Sequence, residues 1–258
     1  MLSIAGSDSG GGAGIQADLK AIARCGAHGM TAITAITAQN TTGVRAVYPL
    51  PGEAIVEQVR AVAEDIGVDA VKIGMLGTVD AIGAVASALE LVSEAPVVLD
   101  PVMVAESGAR LLDEEAVDAL RERLLPRAAV ATPNVAEAAV LAGGNEGDAA
   151  ELARAVKALG PEAVVVTGGH REEITDVFFD GERLVEIPGE RHPDGASHGS
   201  GCTHSSALAV GLARGLEPLE AARQAKRVAS DAIRDGLRSL EAGAGPVDVC
   251  GLEGAGAQ

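Results

Sequence analysis

Short apolar runs alternate with stretches of helical periodicity along most of this chain. Leu2-Ser3-Ile4-Ala5 reads as a strand and opens into a glycine-rich stretch, residues 6–14. Ile15, Leu19 and Ile22 then recur at helical spacing and predict a helix over 15–24. Residues 30–38, rich in Thr, Ile and Ala, and residues 44–50 predict two strands. A helix is expected over 53–66, a strand and its exit loop over 70–77, and a helix over 79–92. Residues 97–103 read as a buried parallel strand, followed by a helix over 114–124. A strand over 129–134 leads to a helix carrying Glu137, and further helical periodicity covers 151–159. The strand over 163–167 ends in Gly168-Gly169-His170. Two short strands, 175–180 and 183–187, then flank Gly181 as a hairpin, and helices over 205–214 and 218–237 complete the pattern. Alternating strands and helices predict an α/β fold, a three-layer αβα sandwich around a mostly parallel sheet. No internal repeat or linker divides it, so one domain is expected over 1–242. The glycine- and alanine-rich residues 243–258 are expected to be a flexible C-terminal tail.

The stretch with the most chemical content is His198-Gly199-Ser200-Gly201-Cys202-Thr203, which leads into the apolar run 207–213. Its glycines stand where a loop becomes a helix. A helix N-terminus offers unpaired N–H groups and partial positive charge to an anion, and glycine lets the backbone approach closely. Cys202 is expected at that positive end, where a thiol's pKa falls; an inert buried cysteine is the competing reading. The glycines at 10–14 are nearly contiguous, with no acidic residue closing a second strand and no Gly-Lys-Ser/Thr. They match neither a dinucleotide fingerprint nor a P-loop. Gln39, Lys72, Asp100, Asn134 and Thr167 each stand at or near a strand's end, so they are expected on one edge of the sheet. Gln39 both donates and accepts, which suits a heteroaromatic ring edge; an ordinary turn competes. Asn134 and Glu137 are three apart at a helix start and, with Asp100, are candidate ligands for Mg2+ or its waters.

Composition narrows the partners. The 258 residues carry a formal net charge of −17, with only 1% aromatic residues. Such a chain repels nucleic acid and anionic membranes, and no stretch has the length and apolarity of a membrane span. Cys25, Cys202 and Cys250 form neither a metal spacing nor a disulfide framework. With no basic leader after Met1, they fit a cytoplasmic protein. Lysine is confined to Lys20, Lys72, Lys157 and Lys226. An acidic, lysine-poor surface is expected of a halophilic cytoplasm, where salt screens self-repulsion.

Six ordered motifs make the chain resemble the hydroxymethylpyrimidine/phosphomethylpyrimidine kinases of thiamine biosynthesis, within the ribokinase-like superfamily. They are residues 4–20, Ala38-Gln39-Asn40-Thr41, Lys72-Ile73-Gly74-Met75-Leu76, Leu99-Asp100-Pro101-Val102-Met103, residues 132–137 with Gly168-Gly169-His170, and residues 198–203. The resemblance implies two successive phosphoryl transfers from ATP. The first is to the hydroxymethyl group of 4-amino-5-hydroxymethyl-2-methylpyrimidine and the second to the resulting monophosphate. It implies pyrimidine binding by Gln39, with Gly6, Asp18, Met75 and Val102 nearby. It places an anion hole on Gly199, Ser200, Gly201 and Cys202, nucleotide contacts on Lys72, Asn134, Thr167 and Gly169, and Mg2+ on Asp100 and Glu137. A homodimer is also implied. Lys72 either neutralises phosphate charge or pairs with Asp100. Cys202 replaces the catalytic Asp of many sugar kinases, and its thiolate is expected to take the hydroxymethyl proton in the first transfer. Ser200 stands for a common Thr, and Thr167 for a common Lys. The rival readings are a pyridoxal kinase, from the same superfamily, and a non-catalytic pyrimidine-binding protein; a dinucleotide-dependent oxidoreductase lacks its fingerprint.

Overall fold

Strand β1 (Leu2–Asp8) is buried along almost its whole length, which places it inside a sheet covered on both faces. The computed structural model describes the chain apart from residues 106, 145–146, 169–173, 194, 241–242, 244 and 253–258. Among the described residues, β1 lies third in a nine-stranded sheet with β2 (Met30–Asn40), β3 (Gly43–Pro49), β4 (Val71–Ile73), β5 (Val97–Leu99), β6 (Val130–Ala131), β7 (Ala163–Val166), β8 (Thr175–Phe179) and β9 (Leu184–Pro188). The order is β3-β2-β1-β4-β5-β6-β7-β8-β9. The six strands from β2 to β7 in that order run parallel. Antiparallel strands close both edges: β3 on one side, and the expected hairpin β8–β9 on the other.

Two helical layers cover the sheet, and side-chain alternation along the strands feeds both. Val97, Leu99, Val164 and Val166 face one layer. It comprises α2 (Gly52–Asp65), α3 (Val79–Ala88), α4 (Glu114–Arg123), α5 (Val135–Leu141) and α6 (Ala149–Lys157), through Ile55, Ile82, Leu120, Leu141 and Leu152. Val98, Val165 and Phe178 face the other layer, formed by α1 (Gly14–Arg24), α7 (Ser200–Ala213) and α8 (Pro218–Arg234), through Ile22, Leu208 and Leu219. With almost no aromatic bulk, close approach of backbones fills space. A Cβ on Gly211 of α7 would sit 2.9 Å from the Ala221 Cβ of α8. Among the described residues, no helix is long and apolar enough to cross a membrane.

Several expected boundaries move. β5 stops at Leu99, which leaves Asp100 as the first residue beyond the sheet, and α3 ends at Ala88 in a short 3-10 turn over Leu89–Val92. β2 continues through Gln39 to Asn40 because β3 pairs with it there, across an irregularity between Ala38 and Gln39. α7 begins at Ser200, five residues before the expected start, so the glycine motif is its first turn.

The tail expected to fray after residue 242 does not do so where it is described. The His198 N–H donates to the Gly245 carbonyl, the Val247 N–H to His198, the Leu237 N–H to Pro246 and the Asp248 N–H to Ala232. Val247 and Val249 pack with Ala21 and Ala232. Small residues earlier in the segment let it lie flat, and the two valines then find an apolar seat. Burying two valine side chains contributes about 3 kcal/mol or more. Truncation after residue 244 is therefore expected to lower the melting temperature by about 10 °C, measured by circular dichroism; an unchanged melt would show that the segment is free.

Candidate active site

The chain leaves β1 towards β2 and β3 and returns on the other side of β1 to β4, which makes the β1–β4 edge a switch point where open α/β sheets bind ligands. A cleft of about 810 Å³ opens there. Gln39, Lys72, Asp100, Asn134 and Thr167 all line it, as their places near strand ends require. Gly6, Met75, Val102, Glu137 and Gly199 through Cys202 line it too. Gly169 and His170 lie outside the described residues.

The wall formed by α7 is built for close approach. Gly199, its N-cap, holds φ at 86°, and a Cβ there would sit 1.8 Å from the Gly12 carbonyl oxygen. The loop after β1 and the start of α7 thus touch through two glycines. No side chain caps α7 and no acidic residue stands in its first turn. Space beside Gly201 is open, with nothing within 4 Å of a Cβ placed there. A first turn of this kind has the partial positive charge that suits an anion.

Asp8, which sequence reasoning passed over, shapes the opposite wall. Its carboxylate accepts the N–H groups of Gly10, Gly12 and Ala13 and lies 3.2 Å from His198 Nε2. Burial alone would raise its pKa, but the His198 hydrogen bond and the amides hold it below the usual value. An aspartate heading a glycine run is a recognisable turn signal.

A buried charge network lies beneath the cleft. Lys72, fully buried, places Nζ 2.9 and 3.1 Å from the two Asp18 carboxylate oxygens and 3.9 Å from Asp100 Oδ2. The Ser3 and Ser206 hydroxyls donate to Asp18 and Ser205 donates to Asp100. Burial disfavours the ammonium, yet Asp18, Cys202 and Asp100 together raise its pKa. Two expectations are corrected here. Asp18 is not beside the ring: it is fully buried and faces Lys72. Lys72 does pair with Asp100, but Asp18 is its nearer partner, so it is not free to seize a phosphate.

The expected low-pKa thiolate is also corrected. Burial, with Asp18 and Asp100 adding to it and Lys72 opposing, pushes the Cys202 thiol up to about 12. The helix end is overruled by loss of solvent and by two nearby carboxylates. Asn134 and Glu137 are turned partly towards each other rather than jointly to a ligand. Asn134 Oδ1 accepts the Glu137 N–H and Glu137 Oε2 accepts the Asn134 N–H, both at 2.9 Å, as a capping box. Glu137 is pushed up to about 8, chiefly by burial and then by Asp100. Burial also raises Asp100. Two carboxylates in one cleft, each held back from ionising, form a donor set that fits a divalent cation.

On the Gln39 side of the cleft, a Cβ on Gly6 would meet Met75 Sδ at 2.8 Å, and the Thr34 hydroxyl fixes Met75 by donating to its carbonyl. Gln39 Oε1 accepts from the Thr37 hydroxyl at 3.2 Å.

The sequence model of the phosphomethylpyrimidine kinase family matches residues 8–248, past the boundary expected at 242. A hydroxymethylpyrimidine/phosphomethylpyrimidine kinase of Rhizobium meliloti is 50% identical over 253 residues, covering 95% of each chain. A thiamine biosynthesis bifunctional protein of Geobacter sulfurreducens is 44% identical across 96% of this chain and 51% of its own length. The ADP complex of Bacillus subtilis pyridoxal kinase superposes with a TM-score of 0.88 at 41% identity, covering 98% of this chain and 97% of that one. The uncapped glycine turn, the carboxylate pair and these similarities agree, and the chain belongs to the phosphomethylpyrimidine kinase family.

Proposed function

We propose that this chain phosphorylates 4-amino-5-hydroxymethyl-2-methylpyrimidine to its monophosphate and then to its diphosphate, with ATP as donor, in thiamine biosynthesis. The observation that carries this reading is the uncapped first turn of α7, facing Gln39 and Met75 across one cleft in a chain of this family. The ring lies against Gln39, Gly6, Met75 and Val102. The transferred phosphoryl group lies at Gly199, Ser200, Gly201 and Cys202, where the Gly201 and Cys202 amides meet its charge. ATP use is supported by the nucleotide held by the similar pyridoxal kinase, and its phosphates lie between α7 and the side of the cleft lined by Asn134 and Thr167. Asp100 and Glu137 would hold Mg2+, which when bound neutralises phosphate charge. A homodimer is supported by the cross-strand pair Ile36 and Tyr48, 48% and 61% exposed on the β2–β3 edge. A cytoplasmic location fits the free cysteines.

Phosphoryl transfer depends on alignment and charge neutralisation more than on a strong base. A thiol near 12 is protonated at neutral pH, so Cys202 serves as a weak donor in the hole. Lys72 holds Asp100 in place from below. The second reading, pyridoxal phosphorylation, is supported by the structural likeness to the Bacillus subtilis enzyme.

A coupled assay with ATP and Mg2+, offering hydroxymethylpyrimidine, its monophosphate and pyridoxal in low and multimolar KCl, tests the whole reading. Turnover of both pyrimidines is expected, with activity higher in KCl if the acidic surface is a halophilic adaptation. Turnover of pyridoxal alone would move the function to that vitamer, and tight binding without turnover would make the chain a binding protein. Cys202→Ala is expected to slow both transfers alike, by about fivefold; a large loss confined to the first would return the proton to a thiolate.

Glu137 predicts a pH dependence. Its unfolded carboxyl ionises near 4.5 and its folded one near 8. The folded chain therefore binds the extra proton between these values. Stability from this group is complete below about pH 4.5 and is lost as pH rises through about 8. In melts without ligand, Glu137→Gln is expected to raise the melting temperature by several degrees at pH 9 and hardly at all at pH 4. Parallel wild-type and variant curves would remove Glu137 as the cause.

A further inference from the structure

A second buried charge cluster lines the same cleft, and none of its members takes part in the chemistry above. Asp176 on β8 is 1% exposed, Lys226 on α8 9% and His204 on α7 4%. One carboxylate oxygen, Asp176 Oδ1, accepts from Lys226 Nζ at 2.7 Å and from the Gly168 N–H at 3.0 Å. The other, Oδ2, lies 3.6 Å from His204 Nε2, just beyond a hydrogen bond. Both ring nitrogens of His204 are buried without a hydrogen-bond partner. Burial, with Lys226 adding to it and Asp176 opposing, lowers the pKa of that ring, so it is neutral at physiological pH.

The placement of Gly168 gives this cluster a purpose beyond stability. Gly168 is buried and directly follows the cleft-lining Thr167, where the backbone leaves β7. A Cβ on Gly168 would sit 2.2 Å from the Thr175 carbonyl oxygen, so β7 exits hard against the start of β8. Its amide N–H donates to Asp176. The peptide joining Gly168 to Thr167 is thereby oriented from behind the cleft. The same carboxylate is tied to α8 by Lys226 and faces α7, whose first turn no side chain caps. One side chain thus fixes the exit of β7 relative to the helix that receives the transferred phosphoryl group.

We propose that Asp176 is a positioning residue for the nucleotide, acting through its hydrogen bond to the Gly168 amide. This rests on the reading that the nucleotide occupies the Thr167 side of the cleft. An ordinary buried ion pair would stabilise the fold without favouring one ligand over the other. Two substitutions separate these roles. Asp176→Asn and Asp176→Ala both leave the Lys226 ammonium without its countercharge. Only the asparagine keeps an oxygen for the Gly168 N–H, and its amide nitrogen then faces His204, which accepts in one tautomer.

Calorimetric titration with ADP and, separately, with hydroxymethylpyrimidine reads the difference. Asp176→Ala is expected to weaken ADP about tenfold, the scale of one well-placed hydrogen bond, and Asp176→Asn less than threefold. Pyrimidine affinity is expected to stay within about twofold in both, while both melting temperatures fall, the alanine variant's further because it also leaves the buried Gly168 N–H unpaired. Lys226→Met leaves the carboxylate on the Gly168 amide and is expected to lower the melting temperature while changing ADP affinity less than threefold. It keeps the test open should the alanine variant fail to fold. Equal weakening of ADP by the asparagine and alanine variants, or weakening by Lys226→Met as large as that by Asp176→Ala, would overturn the proposal. Weakening of the pyrimidine alone would instead show that the Thr167 side holds the ring, overturning the reading of the cleft and the proposal with it.

Discussion

The structure depends on a lysine ammonium with no contact with water. Lys72 sits in the middle of the parallel sheet, and its charge is compatible with that place only because Asp18 and Asp100 meet it there. Taking an ion out of water costs several kcal/mol after relaxation, and removing one partner of a buried pair leaves that cost uncompensated. The network therefore constrains everything it touches: β4 through Lys72, α1 through Asp18, the end of β5 through Asp100, β1 through Ser3 and α7 through Ser205 and Ser206. These are the elements that make the floor and one wall of the cleft. A carboxylate that must answer a buried cation from below cannot also swing freely, so Asp100 presents a fixed face to the ligand above.

The walls of the cleft obey a second constraint, that of backbone proximity. Gly12 and Gly199 approach so closely that no side chain fits between them. Asp8 gathers the amides of the β1 loop inward, and no side chain caps the first turn of α7. Positive potential from the helix end then faces two carboxylates that burial holds back from full ionisation. Such an arrangement favours a ligand that brings both phosphate and a cation. A buried carboxylate accepting a glycine amide recurs at Asp176 and Gly168.

Much of the site was legible in the order of residues. Gln39, Lys72, Asp100, Asn134 and Thr167 gather because parallel strands joined by right-handed crossovers bring all their carboxyl ends to one edge. Side-chain period and glycine placement sufficed for that inference. Asp18 and Cys202 were misjudged for one shared reason: their motifs mark position along the chain but not depth. Depth decides whether a carboxylate meets a ligand or a buried lysine, and whether a helix end or the loss of solvent governs a thiol. Asp176, Lys226, Ser205 and Ser206 escaped notice because each sits in a strand or helix whose pattern needed no functional explanation, and the charged side chains they pair with are 50 residues away or more.

By itself, then, the sequence determined the layered α/β architecture, the edge of the sheet where the cleft opens, and the glycine turn that lines it. These follow from local periodicity and from the handedness of the chain, which act over a few residues at a time. Tertiary structure alone decided which of Lys72's possible partners lies nearest, that Cys202 keeps its proton, that Asn134 and Glu137 cap each other, and that residues 245–249 seal the back of the fold rather than fray. Each of those outcomes is set by distance and solvent exclusion between segments remote in sequence, quantities that exist only once the layers have closed on one another.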